Sequence, residues 1–210
     1  MYSFILKILV WIHNFSYRLI GIFVIKENGG IHPKHAILDY YGFFIKNVSP
    51  TDKILDIGCG NGACTNAVAK KVVKAVGIDI SKKNIELAKK RFSNTNLEYI
   101  IGDATTYDFK ESFDVIMLSN VLEHIENRIE FLEKIKKLAP KILIRVPLLT
   151  RDWLAIYKKE KGWEYKLDKT HFIEYSEEGF KKEIAAAGLK IEDYYIKFGE
   201  LYAICKSNLP

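Results

Sequence analysis

The spacing of hydrophobic positions changes several times along this chain from residue 53 onward. Short apolar runs typical of strands alternate with stretches in which apolar residues recur every three or four positions, as in amphipathic helices. The runs predict strands at 53–57, 74–79, 97–102, 113–119, 141–146, 190–197 and 201–206. The helical stretches lie at 63–71, 82–92, 123–138 and 176–187. This alternation predicts an α/β fold, a parallel sheet covered by helices.

The first thirty residues predict a separate helix that is apolar on most of its surface. Lys7 and Arg18 interrupt the apolar run, so no charge-free stretch reaches the ~18 residues that span a bilayer. A transmembrane helix is therefore not expected. A secretory signal is not expected either, because residues 1–6 carry no basic side chain.

The polar residues of this predicted helix share one narrow stripe. At about 100° per residue they fall within roughly 60° of one another. They are Ser3, Lys7, Asn14, Arg18 and Gly21. Such a rod can pack on its own domain, contact a membrane surface or form the seam of a homodimer, and the sequence leaves these three hypotheses open.

Length and composition set the domain organisation and exclude some classes of protein. With 210 residues, 49% hydrophobic and 28% charged, the chain is neither disordered nor fibrous. We expect an amino-terminal helix at 1–30 and one domain at 31–210, with a lid-like insert at about 147–171. The net charge of +6 is compatible with nucleic acid, anionic lipid or a phosphorylated substrate. Cys59, Cys64 and Cys205 lack disulfide or zinc-finger spacing, which favours a cytoplasmic protein, with membrane association through residues 2–25 as an addition.

The sharpest motif is an apolar strand that runs into a glycine-spaced turn. Residues 54–62 read Ile-Leu-Asp-Ile-Gly-Cys-Gly-Asn-Gly, and the glycines allow positive φ and close approach of a ligand to the main chain. A phosphate-binding loop would need a different spacing and a lysine. Asp56 beside the turn would repel a pyrophosphate but attract a cation such as an α-ammonium group.

Two further acids follow the next two predicted strands. Asp79 at the end of the second strand can accept hydrogen bonds from both hydroxyls of a ribose. Asp103 at the end of the third can accept one from the exocyclic amine of adenine. Ammonium, ribose and adenine together indicate an aminonucleoside ligand.

This ordered set of motifs resembles that of class I S-adenosylmethionine-dependent methyltransferases, over about residues 50–206. The resemblance implies a Rossmann-like seven-stranded sheet in the order 3-2-1-4-5-7-6, with the last strand antiparallel and helices on both faces. It also implies that S-adenosylmethionine is bound by residues of the loop and of the strand ends. These are Asp56, Gly58, Cys59, Gly60, Gly62, Asp79, Ile80, Asp103, Ala104, Ser119 and Asn120.

The segment after the fourth strand is where the family handles the methyl acceptor. Glu123-His124 and the distant His171 are similar to the metal ligands of O-methyltransferases of ubiquinone synthesis and of small-RNA 2′-hydroxyls, in which a Glu-x-x-Glu-His segment and a later His hold a divalent ion. Asn120 here replaces the first Glu. The catalytic candidates are Glu123, His124 and His171, acting through a divalent metal, through a metal-free His124 base, or in a structural role only.

The sequence therefore predicts a methyltransferase acting on a hydroxyl of a small or lipid-linked molecule, with a saccharide as one candidate. Nucleic acid is a less favoured partner because the Asp/Asn-Pro-Pro-Tyr/Phe segment of base-amine enzymes is replaced by residues 119–122, Ser-Asn-Val-Leu. An RNA ribose methyltransferase stays as one alternative. A non-catalytic protein that binds the cofactor and activates another methyltransferase is the second.

Overall fold

Seven strands form one sheet in the order β3-β2-β1-β4-β5-β7-β6. The computed structural model describes residues 2–29 and 32–207. Only β7 runs antiparallel to its neighbours β5 and β6. The strands are β1 Lys53–Ile57, β2 Lys74–Asp79, β3 Leu97–Ile101, β4 Val115–Ser119, β5 Lys141–Pro147, β6 Lys190–Lys197 and β7 Glu200–Lys206. The predicted fold class and strand order are confirmed.

Both faces of the sheet are covered, which explains why the strands read as continuous apolar runs. Successive side chains of a strand point to opposite faces. Leu55 accordingly belongs to the core under the helices at 128–135 and 177–186. Its neighbour Ile54 belongs to the core under the helices at 42–46 and 63–69. The helices of this part of the chain are α3 Gly42–Lys46, α4 Ala63–Ala69, α5 Lys82–Arg91, α6 Arg128–Ile135, α7 Trp153–Glu160 and α8 Glu177–Ala186.

Two predicted elements differ in the structure. The helix expected at 123–138 is divided into a single 3-10 turn, Leu122–His124, and α6, because the backbone is extended at Ile125. The break leaves backbone carbonyls without helical hydrogen bonds, and Arg128 binds two of them. Its Nη1 donates to Ile125 O at 2.9 Å and to Glu126 O at 3.3 Å. The insert predicted as irregular contains α7, which Asp152 caps by accepting a hydrogen bond from Leu154 N.

The cap of α8 and the turn between β6 and β7 form where the local sequence predicts them. Ser176 caps α8 by accepting a hydrogen bond from Gly179 N at 3.0 Å. Phe198 and Gly199 both have positive φ, the conformation of a tight type I′ hairpin turn between β6 and β7.

The chain divides into two compact units, residues 1–40 and 41–210. The boundary predicted between residues 30 and 31 lies outside the described residues. The first unit contains α1 Tyr2–Glu27 and the short α2 Lys34–Ile37. Within the described part of the chain, α1 is long and apolar enough to cross a membrane by length and composition, with a mean hydropathy of 1.6. The expectation that no transmembrane helix is present therefore stays a prediction.

Candidate functional site

The glycine loop between β1 and α4 is held against the end of β2. Gly60 N donates to Asp79 Oδ2 at 2.8 Å, and Ser81 N donates to Asp79 Oδ1 at 2.8 Å. Asp79 therefore connects the loop to the start of α5. Oδ1 also accepts from Asn84 Nδ2 at 3.4 Å, so the lone pair that is left for a further hydrogen bond is on Oδ2.

Gly58 shows why this turn requires glycine. Its φ is +66°, and an added Cβ would lie 2.6 Å from Cγ2 of Val121. Any larger residue would be strained and would also push against the segment after β4. The loop can therefore keep its close approach to that segment only with glycine at this position.

Asp56 lies beneath the loop, with 1% of its surface exposed. Its Oδ2 accepts a hydrogen bond from Thr65 Oγ1 at 2.6 Å. Burial raises the pKa of Asp56 to about 7, and the nearby Asp79 adds to the rise. A cation brought close to this carboxyl would lower its pKa and be attracted in return.

A cavity of about 840 Å³ opens beside the loop at the carboxyl ends of β1, β2 and β4. This is the position at which open α/β sheets bind ligands. Several residues predicted from the sequence line it: Gly58, Asp79, Ile80, Asp103, Ala104, Asn120 and His124. Asp103 Oδ1 accepts from Thr105 N and Thr105 Oγ1, at 2.9 and 2.7 Å.

The other predicted residues lie behind this lining. Cys59 packs with Ile85, Ala88 and Tyr99 in a small core cluster, so its side chain points away from the cavity. Gly62, with φ +77°, leaves room for the Tyr99 hydroxyl, which donates to Gly62 O at 3.0 Å. The remaining predicted residues outside the lining are Asp56, Gly60, Ser119, Glu123 and His171.

A second cluster adjoins the cavity through His124. Donor atoms of Glu123, His124 and His171 all lie within 4.8 Å of one another. The two imidazole rings are 4.6 Å apart and nearly perpendicular. The two segments that carry the cluster are joined by Phe172 N, which donates to Glu123 O at 2.7 Å. The tertiary fold therefore brings together three residues separated by up to 48 positions.

Hydrogen bonds fix which nitrogen each histidine presents. The Thr170 hydroxyl donates to Asp168 Oδ1 at 2.8 Å, so Thr170 Oγ1 accepts from His124 Nδ1 at 2.9 Å. His171 Nδ1 similarly donates to Glu174 Oε1 at 2.9 Å. In its neutral form each ring therefore carries the proton on Nδ1 and leaves the lone pair of Nε2 for another partner.

Glu123 is fully buried, and neither carboxylate oxygen meets a hydrogen-bond partner within the described residues. Burial raises the pKa of Glu123 to about 7. Partial burial is the main cause that lowers the pKa of His124, and the neighbouring His171 lowers it further. The lowered pKa favours the neutral ring. A neutral imidazole can act as a base or as a metal ligand.

Residues 54–140 match the family model described as a methyltransferase domain. The match covers less than half of the chain and agrees with the sheet order and the glycine loop. This part of the chain is a class I S-adenosylmethionine-dependent methyltransferase domain.

Named relatives agree with this assignment. The chain is 34% identical over 116 residues to the mitochondrial ubiquinone biosynthesis O-methyltransferase of Schizosaccharomyces pombe, covering 52% of this chain and 42% of that protein. It is 36% identical over 89 residues to the (S)-coclaurine N-methyltransferase of Thalictrum flavum, covering 40% of this chain and 25% of that protein. The chain thus spans less than half the length of either relative.

A solved structure shares the fold of the methyltransferase domain. The magnesium protoporphyrin IX methyltransferase of Synechocystis, whose structure contains bound SAH, superposes with a TM-score of 0.64. The sequence identity is 16%, and the match covers 84% of each chain. This likeness concerns the fold.

Two residues of the methyltransferase domain that sequence reasoning missed support its cavity wall. Lys134 Nζ donates to the carbonyls of Thr105 and Tyr107, both at 2.8 Å, and so holds the loop after β3. The 6%-exposed Arg145 donates from Nε to Asn120 Oδ1 at 2.7 Å. Asn120 has a φ of +56°, and this contact turns its amide toward β5. No local signal in the sequence pairs these residues, because 25 to 29 positions separate them.

Proposed function

We propose that this chain transfers the methyl group of S-adenosylmethionine to a hydroxyl oxygen of a small or lipid-linked acceptor. The observation that supports this most directly is that His124 lines the cavity with its Nε2 lone pair available, beside His171 and the buried Glu123. An alcohol must lose its proton when it attacks the methyl group, whereas a neutral amine can attack through its lone pair. A cluster equipped to promote that proton loss therefore favours an oxygen acceptor.

In this proposal, each of three carboxyl groups binds a different part of S-adenosylmethionine. Asp79 accepts a hydrogen bond from the ribose through the lone pair left on Oδ2, and Asp103 accepts one from the adenine amine. Asp56 attracts the α-ammonium group from beneath the glycine loop. Its burial strengthens this attraction, since charges interact more strongly away from water.

The side chains of the second cluster, Glu123, His124 and His171, suit the coordination of a divalent cation. One carboxylate and two imidazole nitrogens are ordinary ligands of such ions, and Glu123 is a buried carboxyl group without a hydrogen-bond partner in the described residues. Glu123, His124 and His171 would hold it, while Glu174 and Thr170 orient the two rings. The ion would supply positive charge that lowers the pKa of the acceptor hydroxyl.

Transfer itself is an in-line displacement. The acceptor oxygen forms a bond to the methyl carbon, the carbon–sulfur bond breaks, and the bonding pair stays on sulfur, which leaves neutral S-adenosylhomocysteine. When an ion is bound, the hydroxyl proton passes from the acceptor to solvent. Without an ion, His124 Nε2 is placed to accept that proton, so the same residue is required in either case.

The test uses the purified full chain with methyl-labelled donor. Small hydroxylated aromatics, a lipid-linked phenol and the matching amines serve as acceptors, with Mg²⁺ or with EDTA. We expect label in the hydroxyl acceptors, a loss of about 100-fold or more for His124→Ala, and normal activity for the control His13→Ala, which lies in α1 outside the matched domain. Loss of activity in EDTA identifies the ion-assisted form, and activity that persists identifies the His124 base. Preferential labelling of the amines, or full activity of His124→Ala, would disprove the proposal.

A further inference from the structure

The amino-terminal helix α1 exposes apolar side chains around most of its circumference. None of its 26 residues is buried. Aromatic and aliphatic residues are largely exposed, including Tyr2 at 82%, Phe4 at 70%, Trp11 at 66% and Phe23 at 63%. Exposed apolar surface of this extent is stable in water only when a partner of some kind covers it.

Two charged residues within α1 share one line along the helix, whereas Lys26 and Glu27 lie in its last turn. Lys7 and Arg18 are eleven residues apart, which at about 100° per residue places them within roughly 20° of each other and about 16 Å apart along the axis. Asn14 lies between them on the same line. On the opposite side, Ile5, Leu9, Ile12 and Phe23 form the centre of the apolar face.

Aromatic residues border this charged line. Trp11 lies about 40° from Lys7 on one side, and Tyr17 lies about 80° away on the other. Trp11 also stacks on Phe15, with ring centroids 5.7 Å apart. Trp and Tyr rings are favoured at the level of lipid headgroups, with their apolar bodies toward the acyl chains.

We propose that α1 binds an anionic phospholipid bilayer and lies in the plane of its surface. The line containing Lys7 and Arg18 faces the headgroups, and the face centred on Leu9 and Phe23 enters the acyl region. The alternative orientation across the bilayer fits the length of the helix, which is about 39 Å. However, Arg18 lies only about 12 Å along the axis from Lys26, so spanning would bring it into the hydrocarbon core at considerable cost.

The test measures co-sedimentation of the purified full chain with vesicles of phosphatidylcholine alone or with about 30% phosphatidylserine. Arg18→Gln is compared with Arg91→Gln, which removes the same charge from an exposed position on α5. A cation near an anionic surface changes partitioning about fivefold. We therefore expect Arg18→Gln to weaken binding to the anionic vesicles about fivefold and Arg91→Gln to leave it nearly unchanged. Leu9→Glu should weaken binding to both kinds of vesicle at least tenfold.

Three results would overturn the proposal. Binding of Arg18→Gln that is equal to or tighter than that of the wild type would indicate a spanning helix, because removal of a charge from the core favours insertion. Wild-type protein that stays in the supernatant would show that lipid does not cover α1. Failure to bind vesicles combined with a stable dimer, which Leu9→Glu dissociates in analytical ultracentrifugation, would assign the apolar face to a second copy of the chain.

Discussion

Replacement of Asp56 by Asn separates the cost of a buried charge from its use in donor binding. The carboxyl group is almost fully buried, and its oxygen accepts one hydrogen bond, from Thr65. Asn keeps the size of the side chain and keeps an oxygen that can accept this bond. The change therefore removes the charge with little disturbance of packing.

The magnitude follows from the shift in pKa. Burial raises the pKa of Asp56 from 3.8 to about 7, and each pH unit corresponds to about 1.36 kcal/mol. A group whose pKa rises on folding contributes its full stability below the unfolded pKa and loses it as the pH increases through the folded pKa. Asp56 thus lowers the free energy of unfolding by roughly 4 kcal/mol between pH 4 and pH 8. Glu123, raised from 4.5 to about 7, contributes a further loss of roughly 3 kcal/mol over the same range.

Urea unfolding of the donor-free protein, followed by tryptophan fluorescence at pH 5, 7 and 9, measures this effect. At pH 9 we expect Asp56→Asn to be more stable than the wild type by up to roughly 4 kcal/mol, with a much smaller gain at pH 5. Titration calorimetry at pH 8 should show S-adenosylhomocysteine binding at least tenfold more weakly, because the ammonium group loses its carboxylate.

The exposed Asp193→Asn serves as the control and should change neither measurement. The reasoning is refuted if Asp56→Asn retains the full pH dependence of the wild type. In that case groups other than Asp56 cause the change in the free energy of unfolding with pH, and the buried carboxyl does not titrate in the folded protein as described.

Two other substitutions test the geometry of the site. Gly58→Ala should destabilise the domain by about 1–3 kcal/mol and weaken S-adenosylhomocysteine binding, because it adds a clash to an unfavourable φ. Gly162 has the same φ of +66°, but an added Cβ there would meet no neighbouring atom, so Gly162→Ala measures the backbone contribution alone in the same unfolding assay. Equal effects of the two variants would contradict the clash with Val121. Glu174→Gln should weaken Mn²⁺ binding, measured by calorimetry, about 10- to 100-fold, because the amide removes the negative charge that His171 Nδ1 contacts. The exposed Glu178→Gln should have no effect, and unchanged Mn²⁺ affinity in Glu174→Gln would argue against its orienting role.

The strands and the glycine turn were predictable because their signals are local. A strand buried on both faces reads as an apolar run wherever it lies in the sheet, and the turn of residues 58–62 carries its own backbone requirements. The division of the helix predicted at 123–138 was not predictable in this way. Glu123 is buried and the backbone at Ile125 is extended, and both depend on a segment almost 50 residues later that donates to Glu123 O through Phe172 N.

The lining of the cavity was predicted better than the surroundings of Glu123, His124 and His171. Asp79 and Asp103 line the cavity as expected, since the ends of neighbouring parallel strands meet at one edge. The nitrogen that each histidine presents could not be read from composition or spacing. For His124 it is determined by Thr170, through a hydrogen bond that forms only when the insert folds over the turn after β4, and for His171 by Glu174, three residues further along the chain.

The sequence by itself determined the fold class, the strand order through family resemblance, the glycine loop and the acids at the strand ends, as well as the charged line along α1. These properties follow from short-range periodicity and backbone stereochemistry. Only the tertiary structure decided that Asp56 is buried beneath the loop, that Cys59 points away from the cavity and that Glu123 lacks a hydrogen-bond partner among the described residues. Burial and polar contacts depend on residues distant in the chain, and their energies arise only when packing removes water from between them.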